Sequence, residues 1–106
     1  MRNRIRHKFK AVAVKDDGHH FPSKLEWRYY KHLQMLQKAG EVLFFLRQVP
    51  FHLAAGKYLC DFQVFYDDGL VEFIDVKGFM TPMSKFKIKE VEALYPIKIK
   101  IVKSVR

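Results

Sequence analysis

The chain has 106 residues, 49% of them hydrophobic and 15% aromatic, which indicates one packed domain and excludes a disordered chain. Its formal net charge of +9 indicates a polyanionic partner, most simply nucleic acid, without distinguishing DNA from RNA. No apolar run is long enough to predict a membrane span, and the lone cysteine, Cys60, excludes an internal disulfide and favours a cytoplasmic location.

A basic arm is predicted at residues 1–17, ahead of a folded core at 18–103. Arginines and lysines alternate with other residues along its first ten positions. The arginines of this arm are Arg2, Arg4 and Arg6. In one interpretation they contact nucleic-acid phosphates and make affinity salt-dependent, and in the other they form a tail that only aids solubility. The sequence leaves both open.

The first helix is predicted from Ser23 to about Lys38, with Gly40 as its stop signal. An apolar stripe runs along it, formed by Leu25, Tyr29, Leu33 and Leu36. Glu26 has two candidate roles. As the third helical residue it can complete a capping box with Ser23, and because it borders the apolar stripe it can also point toward a sheet. The two roles are compatible.

A buried strand is predicted from Val42 to Val49, and Pro50 either ends it or marks it as an edge strand. Gln48 is its notable polar residue. Later in the chain, Thr81 is a good N-cap and Pro82 a good first residue for a second helix that runs to Tyr95. That helix should turn Ile88, Val91 and Tyr95 inward and Lys85 and Lys89 outward. A last strand follows over 97–101, where isoleucines alternate with lysines.

Two β-rich runs, 58–66 and 70–77, are separated only by Asp67-Asp68-Gly69 and predict a tight hairpin. A three-residue loop with glycine in the left-handed conformation pairs the residues on either side of it. Counting back along both strands places Asp61 opposite Asp75. Lys77 lies two residues beyond Asp75 and therefore shares its face.

Two carboxylates directly opposed on one face of a sheet repel each other, so this pair needs compensation. A divalent cation is the natural candidate, because Mg²⁺ binds oxygen ligands and is commonly held by one or two carboxylates, water and substrate phosphate. The alternative is a solvated ion pair between Asp75 and Lys77 at a strand end. The five histidines do not predict a zinc site, since no Cys or His pair has zinc-ligand spacing.

The order helix, three strands, helix, strand, with Glu26, Asp61 and Asp75-Val-Lys77 on successive elements, resembles the PD-(D/E)xK nuclease superfamily. Within it, the chain is similar to small phage proteins related to Holliday-junction resolvases, over roughly residues 18 to 103. The blocks that carry the likeness are Phe21-Pro-Ser-Lys-Leu-Glu26, Asp61-Phe62 and Asp75-Val-Lys-Gly78 followed by Thr81. In two places the chain departs from the pattern, with Cys60 where the motif has proline and the shorter acid at Asp75.

The resemblance implies an α/β (α+β) fold, a restriction-endonuclease-like core with a mixed central sheet flanked by helices. It also implies a Mg²⁺- or Mn²⁺-dependent endodeoxyribonuclease that acts on branched or junction DNA. Asp61, Asp75 and the Val76 carbonyl would hold the ion, Glu26 would bind through water or hold a second ion, and Lys77 would steer the attacking water. The number of ions stays open.

Further expectations concern the substrate and partners. Lys85, Lys87 and Lys89 would contact backbone phosphates, with a merely solvated face as the alternative. Gln48 and Thr81 are candidate cleft residues by analogy with the resembling family. A homodimer would be needed to cut two strands symmetrically, and the protein would be a cytoplasmic, phage- or prophage-encoded one in a bacterial host. Two other functions stay open as alternatives: a non-catalytic basic nucleic-acid-binding module, and an assembly protein of a nucleoprotein particle.

Overall fold

The structure, a computed structural model, describes residues 13–16 and 18–105, which form an α+β fold. Its elements in chain order are β1 (Val14–Asp16), β2 (His19–Phe21), α1 (Lys24–Lys38), β3 (Val42–Leu53), β4 (Gly56–Tyr66), β5 (Val71–Val76), α2 (Pro82–Leu94) and β6 (Ile99–Val102). The last four strands form one mixed sheet in the order β3-β4-β5-β6, in which only β5 and β6 pair in parallel. From α1 onward this is the predicted order of elements, and the coarse class is confirmed.

Helix α1 follows its sequence signals closely. The hydroxyl oxygen of Ser23 accepts a hydrogen bond from the Glu26 amide at 3.0 Å, and Gly40 takes φ +84 just beyond the last turn. Tyr29 and Leu33 are buried from the predicted stripe, with Leu25 and Leu36 partly buried beside them. Burial of a side chain such as Leu33 contributes about 1.5–3 kcal/mol, which fixes this face of the helix against the sheet.

The β4–β5 hairpin has the predicted register. The Tyr66 amide donates to the Leu70 carbonyl at 2.9 Å across the three-residue loop, and Gly69 has φ +92. The pairing continues along the ladder to Phe62 opposite Ile74. Asp61 and Asp75 are the next residues of the two strands, and the amide of Val76, beside Asp75, donates to Oδ2 of Asp61 at 2.8 Å. The hairpin therefore brings the two predicted acids close together.

Halfway along both β3 and β4, the alternate residues that faced one side of the sheet turn to face the other side. Near the β4–β5 loop, Phe45 and Phe62 pack in the core beneath α1, whereas Val49 and Cys60 pack in a second core with α2. A regular strand keeps alternate residues on one face, so both strands must turn over between these positions. The pairing runs from Arg47 opposite Phe62 to Val49 opposite Cys60, which leaves Gln48 and Asp61 at the turnover. Gln48 has φ +52 there.

Pro50 does not end its strand, which corrects one of the two predictions made for it. Strand β3 continues to Leu53, and Pro50 lies opposite Leu59. The strand tolerates proline because β3 is one of the two outer strands of the described sheet, where one side of the backbone needs no partner. The edge-strand interpretation of Pro50 is therefore confirmed.

Within the predicted basic arm of residues 1–17, Val14–Asp16 form strand β1 and pair with β2. Trp27 donates from Nε1 to Oδ2 of Asp16 at 2.9 Å, which ties this small hairpin to α1. At the other end, Val105 packs against the core beyond the predicted limit of 103. Arg2, Arg4 and Arg6 lie outside the described residues. Neither of the helices described in residues 13–16 and 18–105 is long and apolar enough to cross a membrane.

Candidate active site

Three acidic side chains are buried where α1, β4 and β5 meet. Glu26 is 2% exposed, Asp61 8% and Asp75 0%. Acidic residues are rarely buried to this degree unless they are paired or bind a metal. The structure thus brings together the three acids that the sequence singled out, and their surroundings decide what they can do.

Asp75 is held on one side only. Its Oδ2 accepts a hydrogen bond from the Tyr58 hydroxyl and lies 3.4 Å from Nζ of Lys77. Its Oδ1 is buried and has no hydrogen-bond partner among the residues that the structure describes. A buried carboxylate oxygen without a donor is costly, by about 1–3 kcal/mol or more for a charged group. Such an atom requires an explanation, and a catalytic role or a bound water or ion is among the explanations.

Asp61 accepts two hydrogen bonds from groups on its flanks. Oδ2 accepts from the Val76 amide at 2.8 Å, and Oδ1 accepts from Nε2 of Gln48 at 3.3 Å. Burial first, and then the neighbouring carboxylates of Asp75 and Glu26, together raise the pKa of Asp61 to about 8. Proximity of like charges is the expected consequence of the hairpin register.

Glu26 uses only its backbone for the helix cap, and its carboxylate points into the site. Oε2 accepts from Arg47 at 3.3 Å and from Nε2 of Gln48 at 3.1 Å. Burial raises the pKa of Glu26, while the Arg47 guanidinium opposes that rise. Arg47 is itself fixed, because it lies 4.0 Å over the Phe21 ring and donates to the His20 carbonyl at 3.0 Å.

Gln48 links Glu26 to Asp61, since its amide nitrogen donates to both carboxylates. It does so from the turnover of β3, with a left-handed backbone that costs a residue other than glycine about 1–3 kcal/mol. Strain of this kind persists where the surrounding structure over-determines it, and it clusters at functional sites. The prediction that Gln48 faces the cleft agrees with this placement.

The donor set is one that could hold a hard divalent ion. Two buried carboxylates lie on opposed strands, one oxygen of Asp75 is unsatisfied, and Mg²⁺ commonly uses only one or two carboxylates with water and substrate phosphate for the rest. In residues 13–16 and 18–105, no group of three or more His, Cys, Asp or Glu side chains is placed so that it could hold a metal ion. A two-carboxylate site for Mg²⁺ or Mn²⁺ fits both observations.

A family model described as "Protein of unknown function (DUF1064)" matches residues 6–106. The chain belongs to the DUF1064 family. This match spans Glu26, Asp61, Asp75 and Lys77 together. No curated protein and no solved structure matches the chain.

The other residues predicted for the site are less central in this DUF1064 chain. Lys85 and Lys89 are exposed on α2, and Lys87 is half-buried. The Thr81 hydroxyl caps α2 by accepting from the Ser84 amide at 3.1 Å. Val76 contributes its amide to Asp61, and the role of its carbonyl as a metal ligand stays a prediction.

Two residues of the site were not predicted, Arg47 and Tyr58. The structure shows how Arg47 arrives there: Ala54 and Ala55 form a two-residue loop that pairs Leu53 with Gly56. Counting back from that loop places Gln48 opposite Asp61 and Arg47 beside it. No local pattern reveals Tyr58, because regular alternation puts it on the face away from Asp61.

The metal-free DUF1064 chain is expected to lose stability as pH rises through neutrality. The pKa of Asp61 is about 8 in the folded chain and 3.8 ordinarily, so between these values the folded state keeps a proton that the unfolded state has released. The resulting stabilisation is full below the lower pKa and is lost as pH passes the upper one. Thermal unfolding in EDTA should show a lower midpoint at about pH 8.5 than at about pH 6.

Asp61→Asn provides the control for this pH dependence, because an amide does not titrate. The drop in unfolding temperature between the two pH values should be clearly smaller in this variant. An equal drop in both proteins would show that Asp61 is already ionised across the range.

Proposed function

We propose that this DUF1064 chain is a metal-dependent endonuclease that hydrolyses phosphodiester bonds in DNA, with branched or junction DNA as its substrate. The observation that carries the proposal is the side-by-side burial of Asp61 and Asp75, with Oδ1 of Asp75 unpartnered among the described residues and Lys77 at its edge. A metal-dependent nuclease needs such a site, and a purely structural core usually avoids one. A restriction-endonuclease-like core is part of the same proposal.

In this proposal Asp61 and Asp75 hold Mg²⁺ or Mn²⁺, with the Val76 carbonyl beside them. A bound ion would polarise the phosphate and lower the pKa of its water. Glu26, whose carboxylate is held by hydrogen bonds from Arg47 and Gln48, orients water in the site.

Lys77 supplies the remaining charge. Its side chain is 28% exposed, so its ammonium can both touch Asp75 and reach an incoming phosphate. It orients the attacking water and stabilises the negative charge that develops on phosphorus oxygens.

Binding of DNA would rest on the net charge of +9 and on the lysines of α2. Lys85 and Lys89 are exposed one turn apart on α2, the helix that follows Lys77 in the chain, and this spacing suits contacts to backbone phosphates. Arg2, Arg4 and Arg6 would add contacts from the basic arm. A homodimer would present two sites to the two strands of a junction, in the cytoplasm of a bacterial host.

A second candidate is a basic nucleic-acid-binding module without catalysis. One observation favours it: both oxygens of Asp61 already accept hydrogen bonds from the protein, as a structural carboxylate would. This function predicts DNA binding that neither Mg²⁺ nor loss of an acid alters.

The deciding experiment incubates purified protein with linear duplex, single-stranded and four-way-junction DNA, with Mg²⁺ or with EDTA. The nuclease proposal expects cutting with Mg²⁺, none with EDTA, and preference for the junction. Asp61→Asn should bind the same DNA without cutting it.

Two results would contradict the proposal. Binding without any cutting, in Mg²⁺ or Mn²⁺, would support the binding module. Equal cutting by Asp61→Asn would assign the activity to another site or to a contaminant.

A further inference from the structure

Tyr58 lies at the centre of the second core yet directs its only polar atom at Asp75. Its ring is buried together with Cys60, Ile88 and Val91, and its hydroxyl donates to Oδ2 of Asp75. Burial and the Asp75 charge raise the pKa of Tyr58 far above its ordinary value, so the phenol keeps its proton and acts as a donor.

The turnover of β3 and β4 is what makes this contact. On a regular β4, Tyr58 would lie three residues from Asp61 and on the opposite face. Because the strands exchange faces at Gln48 and Asp61, Tyr58 and Asp75 come to the same side of the sheet. A strained residue at Gln48 is thus tied to the placement of a donor on the opposite strand.

The contact determines which oxygen of Asp75 remains open. Tyr58 and Lys77 both approach Oδ2. Oδ1 is left without a donor from any described residue, although it is fully buried. A carboxylate held by one oxygen cannot rotate freely about its last bond, so its second oxygen has a fixed direction.

We infer that Tyr58 is a positioning residue, which locks the Asp75 carboxylate so that Oδ1 is presented to a bound divalent cation. Partners that orient a metal ligand through its other atom commonly change metal affinity by about 10–100-fold when removed. The inference rests on the proposed function, because it assigns to Tyr58 the preparation of that same metal site.

The test is titration of the purified, DNA-free protein with Mn²⁺ by calorimetry, which reads binding rather than activity. Tyr58→Phe removes only the hydroxyl and should weaken Mn²⁺ binding about 10–100-fold. Tyr66→Phe is the matched control, since Tyr66 also lies on β4 and donates to a carboxylate, Glu72, at 2.6 Å, outside the site. Its Mn²⁺ affinity should equal that of the unchanged protein.

Equal or tighter Mn²⁺ binding by Tyr58→Phe would overturn the inference, while cleavage by the unchanged protein would leave the proposed function standing. Failure of the unchanged protein to bind Mn²⁺ would overturn both. Thermal unfolding in EDTA shows whether Tyr58→Phe is folded at the titration temperature.

A second measurement needs no variant. The buried Tyr58 hydroxyl proton should give a slowly exchanging NMR signal that persists when the unchanged protein is saturated with Mg²⁺. Disappearance of that signal on saturation would mean that Tyr58 releases Asp75 when the ion arrives, which also contradicts the inference.

Discussion

Asp75→Asn is expected to abolish Mg²⁺-dependent DNA cleavage, lowering the rate on the order of a thousandfold or more. Asparagine has nearly the same shape but no charge, and it offers a single oxygen. That oxygen can accept from Tyr58 and Lys77, so the amide NH₂ takes the position of Oδ1 and presents hydrogens where a cation needs an acceptor. Initial cleavage rates at saturating Mg²⁺ measure the loss.

The same variant should keep its fold and its affinity for DNA. In EDTA above about pH 8, where Asp61 has lost its proton, its unfolding temperature should not be lower than that of the unchanged protein, because the substitution removes a repulsion between buried carboxylates. Asp67→Asn is the matched control: it makes the same change in the exposed loop of the same hairpin and should cut at the normal rate. Full activity in Asp75→Asn would show that the Asp75 carboxylate is not needed for cleavage.

Much of the fold could be predicted because its signals are local. Ser23 and Gly40 set the limits of α1, and the Asp67-Asp68-Gly69 loop sets the register of β4 and β5. Once that register is known, the opposition of Asp61 and Asp75 follows from strand periodicity alone. The core of the site was therefore accessible from sequence, since both acids lie within a few residues of one turn.

The remainder of the site depends on contacts between distant parts of the chain. Gln48 adopts φ +52, a conformation that a glycine would have indicated in the sequence. Because the residue is not glycine, the turnover of β3 and β4 has no local sequence signature. Tyr58 reaches Asp75 only because of that turnover. Arg47 meets Glu26 and Phe21 only after α1, β2 and β3 have packed. Pro50 was ambiguous for the same reason, since edge position is a property of the whole sheet.

Lys77→Met should lower the maximal cleavage rate about a hundredfold at saturating Mg²⁺. Methionine keeps the length of the side chain and removes the ammonium that lies 3.4 Å from Asp75. If Lys77 orients water and stabilises developing charge, the loss appears in kcat and more Mg²⁺ does not restore it. If Lys77 is only a counter-ion, its removal leaves a more negative site that binds Mg²⁺ more tightly and cuts at an unchanged maximal rate.

Lys100→Met separates these effects from a general loss of positive charge. Lys100 lies on β6 and pairs with Glu72 at 3.5 Å, with 57% of its side chain exposed. Like most surface ion pairs, this one is worth about 0–1 kcal/mol, so its removal should leave kcat and the Mg²⁺ dependence unchanged. Equal effects of the two substitutions would show that Lys77 acts only through net charge on DNA binding. A loss of kcat confined to Lys77→Met would place its ammonium at the reacting phosphate.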